Sequence, residues 1–171
     1  MADLVLRPMA PQDLADVLAL QARGYPPALH DSAAAFLSRM ALAPSLNLTA
    51  WRDAALVGYL VSHPWAAGDP PPVDALLAPG TPAECWYVHD LSVAEGARGL
   101  GLARTLLVAG RDAAHALGLS RAELIAVEGA APFWSRHGWR APKGVAPALA
   151  AKAAAYGPSA AFMTREELVT L

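Results

Sequence analysis

Residues 89–103 read HDLSVAEGARGLGLA, and this stretch limits the folds open to the chain more than any other. An apolar run with strand-like alternation, residues 86–93, ends in a short polar turn; Gly99 and Gly101 then open a segment with helical periodicity. The first turn of a helix leaves four backbone N–H groups without intrahelical partners, and the aligned peptide dipoles add roughly half a positive charge there. Such an end suits a phosphate. Glycines at 99 and 101 remove side chains that would hold a pyrophosphate off the backbone, and Arg98 or Arg104 can pair with its oxygens. An anion cradle is one reading of the stretch. The other is a glycine-rich connection that only turns the chain.

Phosphate loops have distinct grammars. A Walker loop needs G-x-x-x-x-G-K followed by Ser or Thr, and no such Gly-Lys pair occurs. A dinucleotide fingerprint needs G-x-G-x-x-G directly after a strand; counted from Gly99 the third glycine position is Arg104, and residues 94–97 intervene. The pattern R-x-x-G-x-A, set by Arg98, Gly101 and Ala103, resembles the coenzyme A pyrophosphate loop of the GNAT superfamily of acyl-CoA-dependent N-acyltransferases. The LSV before it looks like that family's fourth strand, and PFWSRHGW (residues 132–139) looks like its later aromatic helix-to-strand segment. The resemblance implies that Arg98, Gly99, Leu100, Gly101, Leu102, Ala103 and Arg104 hold the pyrophosphate of acetyl-CoA. It further implies that the backbone of Leu91, Ser92 and Val93 pairs with the pantetheine arm like an extra strand, with the Leu91 N–H aimed at the thioester oxygen.

The whole chain is compatible with this. Its 171 residues suit one domain with a sizeable core, 1–171, and 55% hydrophobic against 16% charged residues excludes a disordered chain. A formal net charge of −2 points to no polyanionic partner, so nucleic-acid binding has no support. The first residues carry Asp3, Arg7 and Asp13 without an apolar core of signal-peptide length, and no run reaches the ~18 apolar residues of a membrane span. A cytoplasmic protein with no membrane partner is expected. The single cysteine, Cys85, allows no internal disulfide and reads as a small buried hydrophobe in a strand.

Taken in order, residues 4–7 alternate as a strand, and residues 11–23 are helical, with Pro11 in the first turn and Leu14, Val17, Leu18 and Gln21 on one stripe. Asp31 or Ser32 caps a second helix carrying Phe36, Leu37, Met40 and Ala41. Residues 46–51 and 55–61 form a hairpin turning at Arg52 and Asp53. Residues 63–84 hold Pro64, Pro70, Pro71, Pro72, Pro79 and Pro82, so neither helix nor sheet ladder is expected there; the segment reads as a wall of the acceptor pocket or as a solvated decoration. Leu102, Leu106, Ala109, Ala113 and Leu117 mark a buried helical stripe, with His115 on a solvated face. A strand over 122–127, a short helix over 131–137, a strand start at 139–141 and a last strand over 160–164 follow; residues 145–156 stay unassigned.

Acyl transfer from a thioester to an amine needs a proton acceptor, an oxyanion donor and a proton for the leaving thiolate. Period-two alternation puts Tyr87, His89 and Leu91 on one side of the strand and Val88, Asp90 and Ser92 on the other. The run Tyr87-Val88-His89-Asp90-Leu91-Ser92-Val93 is similar to His-x-His-x-Leu-Ala-Val of the arylalkylamine N-acetyltransferase branch, with tyrosine for the first histidine. His89, alone or through water, is the expected general base, because the unperturbed imidazole pKa of ~6.5 suits proton transfer near neutrality. Asp90 is the rival if a bulge rotates the strand. Where the family often has an acidic tyrosine this chain has Trp134, which packs against the cofactor arm; Tyr87, Tyr156, Ser135 or water then serves the thiolate, or it leaves unprotonated. His30–Asp31 and His89–Asp90 lack further ligands at metal spacing, so no metal is expected, and no G-x-S-x-G elbow exists. Trp65, in the proline-rich segment, is a candidate to meet an apolar acceptor.

The expectation is an α/β (α+β) GNAT fold: a mixed, mostly antiparallel sheet, flanked by helices and splayed at its central strand pair near Leu91. Its activity is acetyl transfer from acetyl-CoA to a primary amine of a small molecule, aryl-alkylamine-like or polyamine-like, and a homodimer is compatible with it. Two rivals are a non-catalytic acyl-CoA-binding or sensory domain and a nicotinamide oxidoreductase using Glu128 for a ribose.

Overall fold

The computed structural model describes residues 3–168. Its strands lie in chain order in one six-stranded sheet: β1 (Leu4–Pro8), β2 (Leu48–Arg52), β3 (Ala55–Trp65), β4 (Cys85–Val93), β5 (Ala122–Ala126) and β6 (Ala161–Arg165). Neighbours run antiparallel except β4 and β5, which are parallel and joined through the helix α3 (Leu102–Ala116). The hairpin between β2 and β3 turns at Asp53 and Ala54, one residue later than expected, both with positive φ (49° and 62°). Such a turn matches the twist of the flanking strands.

Side chains alternate across β3 and so choose the two layers. Tyr59 and Val61 face α1 (Leu14–Gly24) and α2 (Ala33–Leu42), where they pack with Val17, Leu20, Phe36 and Met40. Leu60 faces α3, joining Trp86, Val88, Leu106 and Leu107. The helix lies so close to the sheet that a Cβ on Gly110 would come 2.5 Å from Leu60 Cδ2 and 2.9 Å from Trp86 Cζ2. Ser32 is the cap of α2, its Oγ accepting the Ala35 N–H at 3.3 Å; Asp31 is left for another task.

The proline-rich segment differs from expectation at its start. β3 continues through Pro64 to Trp65, paired with Trp86 and Cys85. The ladder between β3 and β2 stops at Leu60, so beyond it β3 has a strand on one side only and tolerates a residue without an N–H. Residues 66–84 then form a strap pinned on both flanks. Asp74, Ala75 and Leu77 bond to Asp31, Arg39 and Ser38 on the α2 side. Gly68 bonds to Glu123 on β5, and Pro71 and Asp69 bond to Tyr156 and Lys152. Lys152 belongs to α5 (Pro147–Ala154), a helix within the stretch left unassigned from sequence, and Tyr156 lies just beyond it. The strand expected at 139–141 shrinks to one bridge, Arg140 to Thr164, after the short helix α4 (Ala131–Arg136).

Candidate active site

The glycine loop fixes one part of the site. Gly99 and Gly101 have φ of 77° and 76°, a backbone that L side chains rarely adopt, and a Cβ on either would meet no atom within 4 Å. The loop therefore opens onto free space. Among the described residues the backbone N–H groups of Gly99 through Arg104 donate to no backbone carbonyl; the first bond of α3 runs from Thr105 N–H to the Gly101 carbonyl at 3.0 Å. Unpaired N–H groups at the start of a fifteen-residue helix, flanked by Arg98 and Arg104, are the donor set a pyrophosphate needs. Leu102 is buried in the core and Leu100 is exposed outside the cavity, so these two offer backbone only.

The sheet opens beside this loop. β4 and β5 pair only at Trp86–Ala122 and Tyr87–Glu123, so the splay begins at Val88, three residues before the expected Leu91. A cavity of about 790 Å³ occupies the gap. Residues 88–93 form one wall and Ile125, Val127, Phe133 and Trp134 another; the α1–α2 connection and the strap add Leu29, Asp31 and Val73, and Tyr156 closes in beside them. Trp134 meets Trp139 edge-on at 5.5 Å and lines the cavity. Trp65 donates its indole N–H to Asp69 within its own loop and does not line the cavity.

The register of β4 corrects the simple alternation. Val61 pairs with Asp90 and Ser62 with Val88, so His89 is an extra residue in a β-bulge. Trp86, Val88, Leu91 and Val93 consequently pack towards α3, while Tyr87, His89 and Asp90 share the opposite side with Tyr59. Leu91 is thus on the other face from His89, which local periodicity could not show.

His89 Nε2 lies 2.5 Å from Asp31 Oδ2, with the two side chains 4% and 3% exposed. Its Nδ1 is buried without a hydrogen-bond partner. Burial works against a charge on Asp31, yet the His89 hydrogen bond and the Arg39 guanidinium 3.8 Å away outweigh it and hold the carboxyl below its ordinary range. Asp90 is different. Burial pushes its carboxyl upward, and Tyr59 donates its hydroxyl to Oδ2 at 2.6 Å. Tyr25, half-buried, donates to the Leu91 carbonyl at 2.9 Å. Tyr87 is buried outside the cavity; its hydroxyl meets Tyr156, which does line the cavity. Burial moves the Tyr156 phenol up to about 12. Ser135 is exposed on α4 and away from the lining. Sequence reasoning named Asp31 as a helix cap and half of a metal dipeptide and missed it as a wall residue, whereas Val73 falls in the proline-rich segment read as a pocket wall; no local signal joins position 31 to position 89.

Among the described residues no group of three or more His, Cys, Asp or Glu side chains is placed to hold a metal ion, and no helix is long and apolar enough to cross a membrane.

A strand splayed from its parallel neighbour over a glycine-opened helix N-terminus defines an acyl-CoA transferase architecture, and the comparisons agree. The model of the acetyltransferase (GNAT) family matches residues 14–139, and the chain belongs to that family. It is an acetyltransferase using acetyl-CoA, which removes the nicotinamide reading of Glu128. Among similar solved structures are Ard1 from Thermoplasma volcanium (TM-score 0.72, 14% identity, covering 95% of this chain and 96% of that one). The loading GNATL domain of CurA from Lyngbya majuscula is similar at TM-score 0.74 and 14% identity, over 97% and 98% of the two chains. Naa20 from Chaetomium thermophilum, solved with a bisubstrate analogue, is similar at TM-score 0.67 and 20% identity, over 95% and 86%. At such identities the likeness speaks for the fold. A comparison with curated protein sequences finds no match.

Proposed function

We propose that this enzyme moves the acetyl group of acetyl-CoA to the primary amine of a small molecule, with His89 as general base. The observation that carries the reading is the pairing within one cavity of an open anion cradle and a buried imidazole whose Nδ1 has no partner. Residues Gly99 through Arg104 bind the pyrophosphate through backbone N–H groups, with Arg98 and Arg104 adding charge. Beyond Tyr87 the β5 side of β4 has no ladder, which leaves an open edge from Leu91 to Val93 for the pantetheine arm, with the Leu91 and Val93 carbonyls also accepting from Tyr25 and Arg98. That edge also offers an N–H to the oxygen that becomes negative as the amine adds.

His89 takes the amine proton as the N–C bond forms and the C–S bond breaks. The leaving thiolate takes its proton from water, because the single O–H of Tyr156 is donated to the Pro71 carbonyl and Tyr87 meets Tyr156 rather than the reactants. The strap favours a small acceptor: it is bonded to the α2 side and to Tyr156 at once, and its Val73 walls the cavity. Leu29, Ile125 and Val127 make that region apolar, which suits an aryl- or alkylamine better than a polyamine. The resemblance to the arylalkylamine branch rests on residues 87–93 alone. A second reading, a polypeptide N-terminus, is raised by the likeness to Naa20; the bonded strap narrows the room for an extended chain.

His89→Ala tests the assignment. Turnover should fall about 10²- to 10⁴-fold while coenzyme A affinity by calorimetry is kept. Unchanged turnover would remove His89 as base.

A further inference from the structure

Asp31 lies far from β4 in sequence and yet is built into the site from four directions. Its backbone N–H donates to Gln21 Oε1 at 2.8 Å and its carbonyl accepts from Gln21 Nε2 at 2.9 Å, which fixes the main chain against α1. Its Oδ1 accepts the Asp74 N–H of the strap at 2.6 Å. Arg39 of α2, with no exposed surface, stands 3.8 Å from the same oxygen while donating to the Ala35 and Ala75 carbonyls. Oδ2 is left for His89. Isolated carboxylates are costly to bury, and this one is spared neutralisation by three separate elements acting on it, the strap, α2 and β4.

An ionised carboxylate has only lone pairs, so the hydrogen bond at Nε2 requires the imidazole proton to sit there. In the neutral ring the lone pair is then on Nδ1, the atom without a partner. We infer that Asp31 is a positioning residue: it fixes His89 as the Nε2–H tautomer and so leaves on Nδ1 the lone pair that takes the proton of the acceptor amine. This rests on the reading of His89 as base. The other titratable groups near the imidazole are Tyr87 and Asp90 on β4 and His63 on β3, with Tyr59 bonded to Asp90 and Tyr156 on the same cavity wall. Among the hydrogen bonds of the described residues, none of these takes a ring nitrogen of His89. Arg39 holds the carboxylate charged, and the strap, through Asp74, completes its coordination.

Long-range ¹H–¹⁵N correlation spectra of the full-length protein read the histidine tautomers directly. The expected result for the neutral ring of His89 is a protonated Nε2 and a lone pair at Nδ1. In Asp31→Asn the side-chain amide can donate to the ring, so the Nδ1–H form should appear, with kcat down about 10²- to 10⁴-fold and coenzyme A affinity unchanged. Asp31→Glu should restore part of kcat. An Nδ1–H tautomer in the wild-type protein, which needs no variant to fold, would overturn the inference, as would wild-type kcat in Asp31→Asn. The two readings fail differently. A fully active His89→Ala removes the base and this inference with it, whereas an inactive His89→Ala beside a fully active Asp31→Asn removes only the positioning role.

Discussion

Tyr59 donates its hydroxyl to Asp90 Oδ2 across 2.6 Å in the interior, and this bond separates two carboxylates that sit close to the same histidine. Asp31 is charged and shared with His89; Asp90 is pushed towards its neutral form by burial, only partly opposed by Tyr59. Asp90→Asn preserves an acceptor for Tyr59, so turnover should stay within about 10-fold of wild type, against the 10²- to 10⁴-fold expected for loss of a base. Steady-state kinetics on the variant checks this, and a loss as large as that of His89→Ala would make Asp90 the base.

Gly101 caps α3 in the left-handed region with open space above it. Gly101→Glu strains that backbone and puts a carboxylate among the N–H groups proposed to hold the pyrophosphate. Coenzyme A binding by calorimetry should be abolished. Wild-type affinity would show that the pyrophosphate sits elsewhere.

These two residues mark how far sequence reaches. The glycine-opened helix start was legible because its physics is local: a strand, two glycines and an amphipathic helix stand next to one another. The bulge that makes His89 an extra residue was not, since it depends on how β4 is registered against β3, and a period-two pattern carries no sign of it. Asp31 was invisible for a similar reason, its partner lying on another element. Pro64 misled because proline opposes a ladder, and only the tertiary fact that β2 ends early lets β3 carry it. In residues 145–156 the alanine-rich composition hid the apolar period that would have placed α5.

His63 is buried, and burial is the chief reason its imidazole is lowered from 6.5 to about 3; the charges of His89 and Arg39 push the same way, against the Pro64 carbonyl. A depressed pKa in the fold means that its stabilising share is complete above pH 6.5 and is lost as the pH falls towards about 3. Through that window the slope approaches ~1.4 kcal/mol per pH unit for one proton. In urea unfolding at a series of pH values His63→Gln should show a flatter decline than wild type. Parallel curves would mean that His63 does not hold back its proton.

Gly110 tests the packing of α3. A methyl at this position must displace Leu60 or Trp86, so Gly110→Ala should destabilise by about 1–3 kcal/mol despite the better helix propensity of alanine. Thermal unfolding reads this as a fall in Tm of several degrees; a rise would show that the helix stands further from the sheet.

The central claim is acetyl transfer to a small amine, and release of coenzyme A from acetyl-CoA tests it most directly, followed as free thiol across aryl- and alkylamines, polyamines, aminoglycosides, amino acids and peptide N-termini. Cys85 adds little background, being buried with its thiol moved up to about 12, chiefly by burial. Release that depends on a compact aryl- or alkylamine and yields the N-acetyl product is the expected result. Release with peptide N-termini alone would contradict the small-acceptor account, and silence across every amine while acetyl-CoA still binds would contradict transfer to such amines altogether.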